Sequence, residues 1–193
     1  MELQYVINLV VKGIFEGTLV ITPLLIIVHL FKIRLFKIDK QVLIQSVNTC
    51  LLFGSVMFLI SLFAEFFRAY YSQVEYEQYV FVNRYTGPFW YLGFVEIACK
   101  LLVPQILWFK RLRKSIYTLM VIFNLWVFLY IIRFAFVLFT PVWRMRTSPN
   151  AGAGINYQIG YPWQDLLVYT ILLTAVYFIL KRKSLTRAVL VRS

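Results

Sequence analysis

Two cysteines, one histidine and eight acidic residues are all that a chain of 193 residues holds of these types, and each shortage removes a class of function. Cys50 and Cys99 both fall inside apolar runs. No CxxC and no Cys/His spacing is present, so zinc, haem and iron–sulfur ligation are not expected in this chain. A disulfide between the two would require Cα atoms within roughly 7 Å, which spacing alone leaves open. A single histidine, no nucleophile–base pair and no phosphate loop argue against a self-sufficient enzyme. The opening MELQYV has neither a positive n-region nor a small-residue cleavage site, so no cleaved leader is expected. Internal repeats are absent too. No polar stretch is long enough for a separate soluble domain, and residues 1–193 read as one integral membrane domain.

What the chain has is hydrocarbon. It is 61% hydrophobic and 19% aromatic, with a mean hydropathy of +0.75. A soluble domain is about 45–50% apolar. The net charge of +12 would point to nucleic acid in a soluble protein. Here the lysines and arginines cluster at the ends of apolar runs and build no basic face outside them. Topology and anionic lipid headgroups account for them, and no nucleic-acid partner is expected.

Five apolar runs follow one another. The first spans Tyr5 to Ile33 and carries Lys12 and Glu16, which at i and i+4 can pair on one helix face. It also holds Pro23, an expected kink, and His29 near its end. The sequence FKIRLFKIDK leads to the second run, Leu43 to Phe67, whose Gln45, Ser46, Asn48, Thr49, Ser55 and Ser61 are expected to face other helices. The third run covers Gly87 to Phe109 and stops at Lys110, Arg111, Arg113 and Lys114. A fourth covers Ile116 to Thr140, with Pro141 expected to end it. A turn-rich connector follows. Pro162 and Asp165 suit the first turn of the last helix, Trp163 to Leu180, where a missing N–H is harmless and negative charge faces the dipole.

Each run can cross about 30 Å of hydrocarbon at about 1.5 Å per residue. The expected fold is therefore all-α, a polytopic bundle of about five transmembrane helices. Most basic residues lie after the first and third runs and in the tail, whereas the other connectors hold only Arg68, Arg84, Arg144 and Arg146. The positive-inside rule then places the C-terminus in the cytoplasm and the N-terminus outside. The loops Arg68 to Thr86 and Pro141 to Pro162 share the outer face.

Glu65, Glu96, Lys100 and Arg133 fall within or at the edges of these runs. A charge at the bilayer centre costs about 2.5–3.5 kcal/mol on insertion scales, so partners are expected. Glu96 precedes Lys100 by one turn, the favourable order for a helical ion pair. Glu65 and Arg133 can pair across helices or meet a partner subunit. His29 reads either as an interfacial histidine or as a quinone or proton ligand.

Against this background, the stretch from Glu65 to Lys110 resembles a known family. Glu65-Phe66-Phe67, Tyr71-Ser72, Tyr76-Glu77-Gln78-Tyr79-Val80-Phe81, Asn83-Arg84 and Gly87-Pro88 occur in its order and spacing. So do Cys99, Pro104-Gln105, Trp108-Phe109-Lys110 and, in the next helix, Arg133-Phe134. The family is the NrfD-like (polysulfide-reductase and nitrite-reductase) membrane subunits. The pattern most resembles the C-terminal half of the membrane subunit of alternative complex III, a bacterial quinol-oxidising respiratory complex. The resemblance covers roughly three quarters of the chain and is weakest over the first helix. It implies a half-bundle, without the first bundle that builds most of the family's quinol site. Lys100 stands where the family has Asn, Ile132 where it has Glu, and Glu96 where an apolar residue is usual.

The resemblance implies a non-catalytic membrane subunit of a respiratory redox complex in the bacterial inner membrane, with lipid and other membrane and extracytoplasmic subunits as partners. Haem and iron–sulfur clusters would then lie in those partners, and no cofactor is expected to bind this chain directly. Tyr76, Glu77, Gln78, Arg84, Trp90 and Trp143 are the candidate interface residues. Two alternatives remain open from the sequence. One is a quinone-binding subunit completed by another chain, using His29, Glu65 and Arg133. The other is an independent proton or solute transporter, using Glu96, Lys100 and Arg133.

Overall fold

The computed structural model describes residues 2–32, 38–71, 74–86, 90–147 and 162–190. Among these, the side chains of Glu77, Arg84, Arg133 and Trp143 lie outside the described set. All regular structure among the described residues is helical. Helix α1 spans Glu2–Leu30, α2 Lys40–Tyr71, α3 Glu75–Thr86 and α4 Trp90–Ile97. After a π turn at Ala98–Leu102 come α5, Val103–Gln105, and a 3-10 turn at Ile106–Trp108. The short α6 (Lys110–Arg113), then α7 (Ile116–Thr147) and α8 (Pro162–Leu190) complete the chain. Three segments, Tyr5–Leu30, Lys40–Tyr71 and Trp163–Ser184, are long and apolar enough to cross a membrane, and Ile116–Ile132 is a shorter apolar one.

The helix ends have identifiable causes. Lys32 turns to a φ of 50°, and its N–H bonds back to the His29 carbonyl at 3.3 Å, which closes α1. Asp39 opens α2 by accepting the Gln41 N–H on Oδ1 at 3.0 Å, an N-cap.

Helix α1 is the centre of the molecule. Its Val11 and Phe15 pack with Leu51, Leu52, Cys99, Leu107, Ile122 and Trp126 in one core. Its Ile14 and Leu25 pack with Val47, Cys50, Leu119, Tyr169 and Leu173 in a second. Its other face stays exposed, with Val20, Leu24 and Ile27 on it. Helix α2 runs antiparallel to α1: Ser61 donates to Asn8 Oδ1 at 2.6 Å, and Lys40 Nζ donates to the Val28 carbonyl at 3.1 Å. Helix α8 runs parallel to α1, with Asp165 beside Gly13 and Tyr169 beside Gly17.

The polar residues of α2 do face neighbours. Ser46, Asn48 and Ser55 are fully buried. Asn48 donates to the Arg113 carbonyl at 2.8 Å, and Gln105 donates to Ser55 Oγ at 3.0 Å. Both bonds also fix the third run antiparallel to α2.

Several boundaries differ from the sequence expectation. The α2 helix does not stop at Phe67 but continues to Tyr71. Most of the connector after it folds as α3. Pro141 does not end α7, which continues to Thr147. Proline's φ suits a helix, and only the donor to the carbonyl four residues back is lost. The last helix extends through the basic tail to Leu190. Pro23 sits inside an unbroken α1.

The third run is the main departure: one apolar helix was expected, and α4 gives way to a π turn. Pro104 explains the break, because it has no N–H for the Lys100 carbonyl. Val103 N–H instead reaches the Ala98 carbonyl. The Cys99 carbonyl then has neither Val103 nor Pro104 as a donor, and the Trp126 indole Nε1 supplies one at 3.1 Å. Trp126→Phe keeps a ring beside Phe15 but removes that donor. It is expected to destabilise the bundle by about 1–3 kcal/mol, the cost of an orphaned buried acceptor. Adding Pro104→Ala, which supplies an N–H five residues after Cys99, the π-turn partner of its carbonyl, should recover part of this in a denaturation series in bilayers.

Candidate functional site

Ionisable side chains collect where α1, the first turn of α8 and the π turn meet. Their placement starts from two glycines. Gly13 and Gly17 lie one turn apart on α1 and let α8 approach backbone to backbone. A Cβ on Gly13 would stand 2.9 Å from the Asp165 carbonyl oxygen, and one on Gly17 would overlap the Tyr169 ring. Small residues at this spacing are a common device of membrane helix packing. The close approach brings the Asp165 carboxylate, 2% exposed, to 2.9 Å from Lys12 Nζ. Tyr169, 1% exposed, receives a long 3.4 Å bond from Thr18 Oγ1 on its hydroxyl.

Lys12 also faces Glu16, at 3.9 Å. The sequence pairing of Lys12 with Glu16 therefore holds, but as the weaker of two contacts. On the third run, Lys100 Nζ donates to Glu96 Oε1 at 2.6 Å. The same ammonium lies 5.7 Å from the Phe15 ring centroid and 5.6 Å from that of Phe58, so aromatic faces cover part of its charge. Lys100 belongs to the π turn, a deviation often found at functional sites. Glu16 lies within electrostatic reach of both Lys12 and Lys100, joining the two pairs across α1. Asp165, Lys12, Glu16, Lys100 and Glu96 thus form one string of alternating charge.

This string is not sealed. The side chains of Lys12 and Glu16 are 42% and 38% exposed, and those of Lys100 and Glu96 are 27% and 39% exposed. The flank is therefore apolar bundle surface with a polar opening in it.

The remaining candidates lie elsewhere. His29 is exposed at the end of α1 where Lys32, Lys40, Lys110, Arg111, Lys114, Lys181, Arg182 and Lys183 gather. Glu65 is partly buried near the opposite end, less than two turns before Tyr71 finishes α2. One quinone headgroup cannot touch both. Arg133 is on α7, with its side chain outside the described set. Among the proposed interface residues, Tyr76 and Gln78 are exposed on α3. Trp90 is exposed on α4, with its ring centroid 5.6 Å from that of Phe94. Glu77 and Arg84 on α3 and Trp143 on α7 have side chains outside the described set. No group of three or more metal-ligating residues occurs among the described residues. Cys50 and Cys99 are free and buried.

Sequence reading missed the centre of the site. Asp165 read as a helix-dipole residue, and Gly13 and Gly17 were not singled out. The signal was present as Gly-x-x-x-Gly within an apolar run, with Lys12 just before it and Glu16 inside it. Comparison with protein-family models, with curated proteins and with solved structures finds no match to this chain.

Proposed function

We propose that this chain is a five-pass integral-membrane subunit of a bacterial respiratory redox complex of the alternative complex III kind. It is non-catalytic itself and packs against other membrane subunits to support quinol-linked electron transfer. The observation that carries the subunit reading is the open, charged flank. Lys12, Glu16, Glu96 and Lys100 are each more than a quarter exposed, Lys12 and Glu16 within the candidate span Tyr5–Leu30. Charge facing lipid is costly and is normally covered by protein or lines a polar cavity. A companion helix bundle against this flank supplies that cover. The redox part of the reading rests on the residue pattern from Glu65 to Lys110. The family's missing first bundle is the kind of companion the flank requires.

Five crossings fit the helix directions. Parallel α1 and α8 require an odd number of passes, and if α7 crosses, the third run must cross as well. The basic end then faces the cytoplasm, with the N-terminus outside in the inner membrane. Exposed Tyr70, Tyr71, Tyr76, Tyr79 and Trp90 occupy the outer end, where extracytoplasmic subunits would dock and aromatic anchors contribute most. Quinone, haem and iron–sulfur clusters belong to the companions in this reading.

Gentle extraction followed by native mass spectrometry tests it. The chain is expected to co-migrate with haem- and iron–sulfur-bearing polypeptides and with quinol-oxidising activity. A chain that migrates alone from its native membrane would overturn the subunit reading.

A further inference from the structure

We propose that Glu16 is an exchangeable proton site: its carboxylate, on the open flank of α1 within the candidate span Tyr5–Leu30, takes up one proton and releases it again. The geometry singles it out among the acids of the string. Asp165 holds Lys12 at 2.9 Å and is 2% exposed. Glu96 holds Lys100 at 2.6 Å. Each lysine thus has a close carboxylate of its own. Glu16 is left with Lys12 at 3.9 Å, already engaged, and keeps 38% of its side chain open to the flank.

The groups facing Glu16 come from several elements. Lys12 on its own helix and Lys100 on the π turn favour the carboxylate, and Asp165 on α8 opposes it. Glu96 lies behind Lys100, and Tyr130 on α7 is within electrostatic range of Lys12. Whichever way the proton moves, Asp165–Lys12 and Lys100–Glu96 persist as neutral pairs. Glu16 is the member that can change charge without breaking a short ion pair. Its exposed oxygens meet lipid or a companion chain, where the neutral acid is favoured over the anion. Proton uptake raises the formal charge of the string by one, and release lowers it by one. No covalent chemistry or redox partner is required. The inference rests on the membrane-spanning part of the proposed function and is independent of its redox part.

The test is infrared difference spectroscopy of the full chain in bilayers, stepped in pH. The wild type is expected to show a protonated-carboxyl C=O band that grows on acidification. Glu16→Gln should lose that band entirely, while Glu96→Gln retains it. A wild type without the band, a Glu16→Gln variant that keeps it, or its loss in Glu96→Gln instead would overturn the proposal. Should Glu16→Gln not assemble, wild-type protein carrying ¹³C-carboxyl glutamate answers by solid-state NMR. A carboxyl that changes protonation with pH and correlates with Lys12 Nζ is expected, and its absence contradicts the assignment. Membrane insertion is read separately by labelling, so a failed span and a silent Glu16 give different results.

Discussion

Gly17→Ala is expected to unseat α8 from α1, with the largest loss of stability of any single methyl added to the chain. The added Cβ would fall among the Tyr169 ring carbons Cγ, Cδ1 and Cβ. That ring is 1% exposed and packed with Ile14, Cys50 and Leu173, so it has nowhere to move. Overpacking typically costs about 1–3 kcal/mol, and a clash with an immobile ring belongs at or above the upper limit. In a bilayer no hydrophobic force reseats the helices, because lipid solvates them as well as each other. Close packing is the main attraction, and the variant removes it along two turns. Denaturant titration in micelles should show the loss. Tyr169→Ala costs stability by itself, yet combined with Gly17→Ala it should destabilise less than the sum, since the ring that clashes is gone. A fully additive double variant would mean that the two residues are not in contact.

Asp165→Ala is the second large effect. Removing one member of a buried pair costs about 3–5 kcal/mol, because the other charge is stranded. Lys12 is 42% exposed, which screens part of that cost, so about 2 kcal/mol is the expected result. The sign of the rescue matters more than the size of the loss. Lys12→Met combined with Asp165→Leu removes both charges together and is expected to restore most of the stability in the same titration. If Asp165→Ala alone were neutral, the pair would not hold α8 to α1, and the charged string would lose its first link.

Much of the architecture could be read directly from the residues. The apolar runs became helices, and the polar stripe of α2 turned inward, because serine and asparagine in hydrocarbon must find partners whatever the fold. Glu96 and Lys100 paired because a helical turn fixes their spacing locally. What could not be read depended on distance in three dimensions. Asp165 lies 153 positions after Lys12, and only the Gly13–Gly17 crossing, with α8 parallel to α1, brings them together. Boundaries were misplaced where proline was read as a stop. Pro141 lies inside α7, whereas Pro104, read only as part of a motif, disrupts its helix. The difference is that the third run shifts to a π turn and the Trp126 indole accommodates the orphaned Cys99 carbonyl. The aromatic connector read as a loop because its tyrosines have no clear period. As α3 it is held by Phe81 against Phe66, with ring centroids 5.8 Å apart.

Sidedness of the two bundle ends is the most direct measurement. Cysteines introduced by Tyr76→Cys, on α3, and Ser184→Cys, past the last apolar turn of α8, would be probed with a membrane-impermeant thiol reagent in intact cells. Cys50 and Cys99 are buried and should contribute little background. The expected result is labelling of Tyr76→Cys from outside, with Ser184→Cys reacting only after the membrane is opened. Labelling of both from the same side, or recovery of the polypeptide in the aqueous fraction, would contradict a bundle that crosses the bilayer with its lysine-rich end inside.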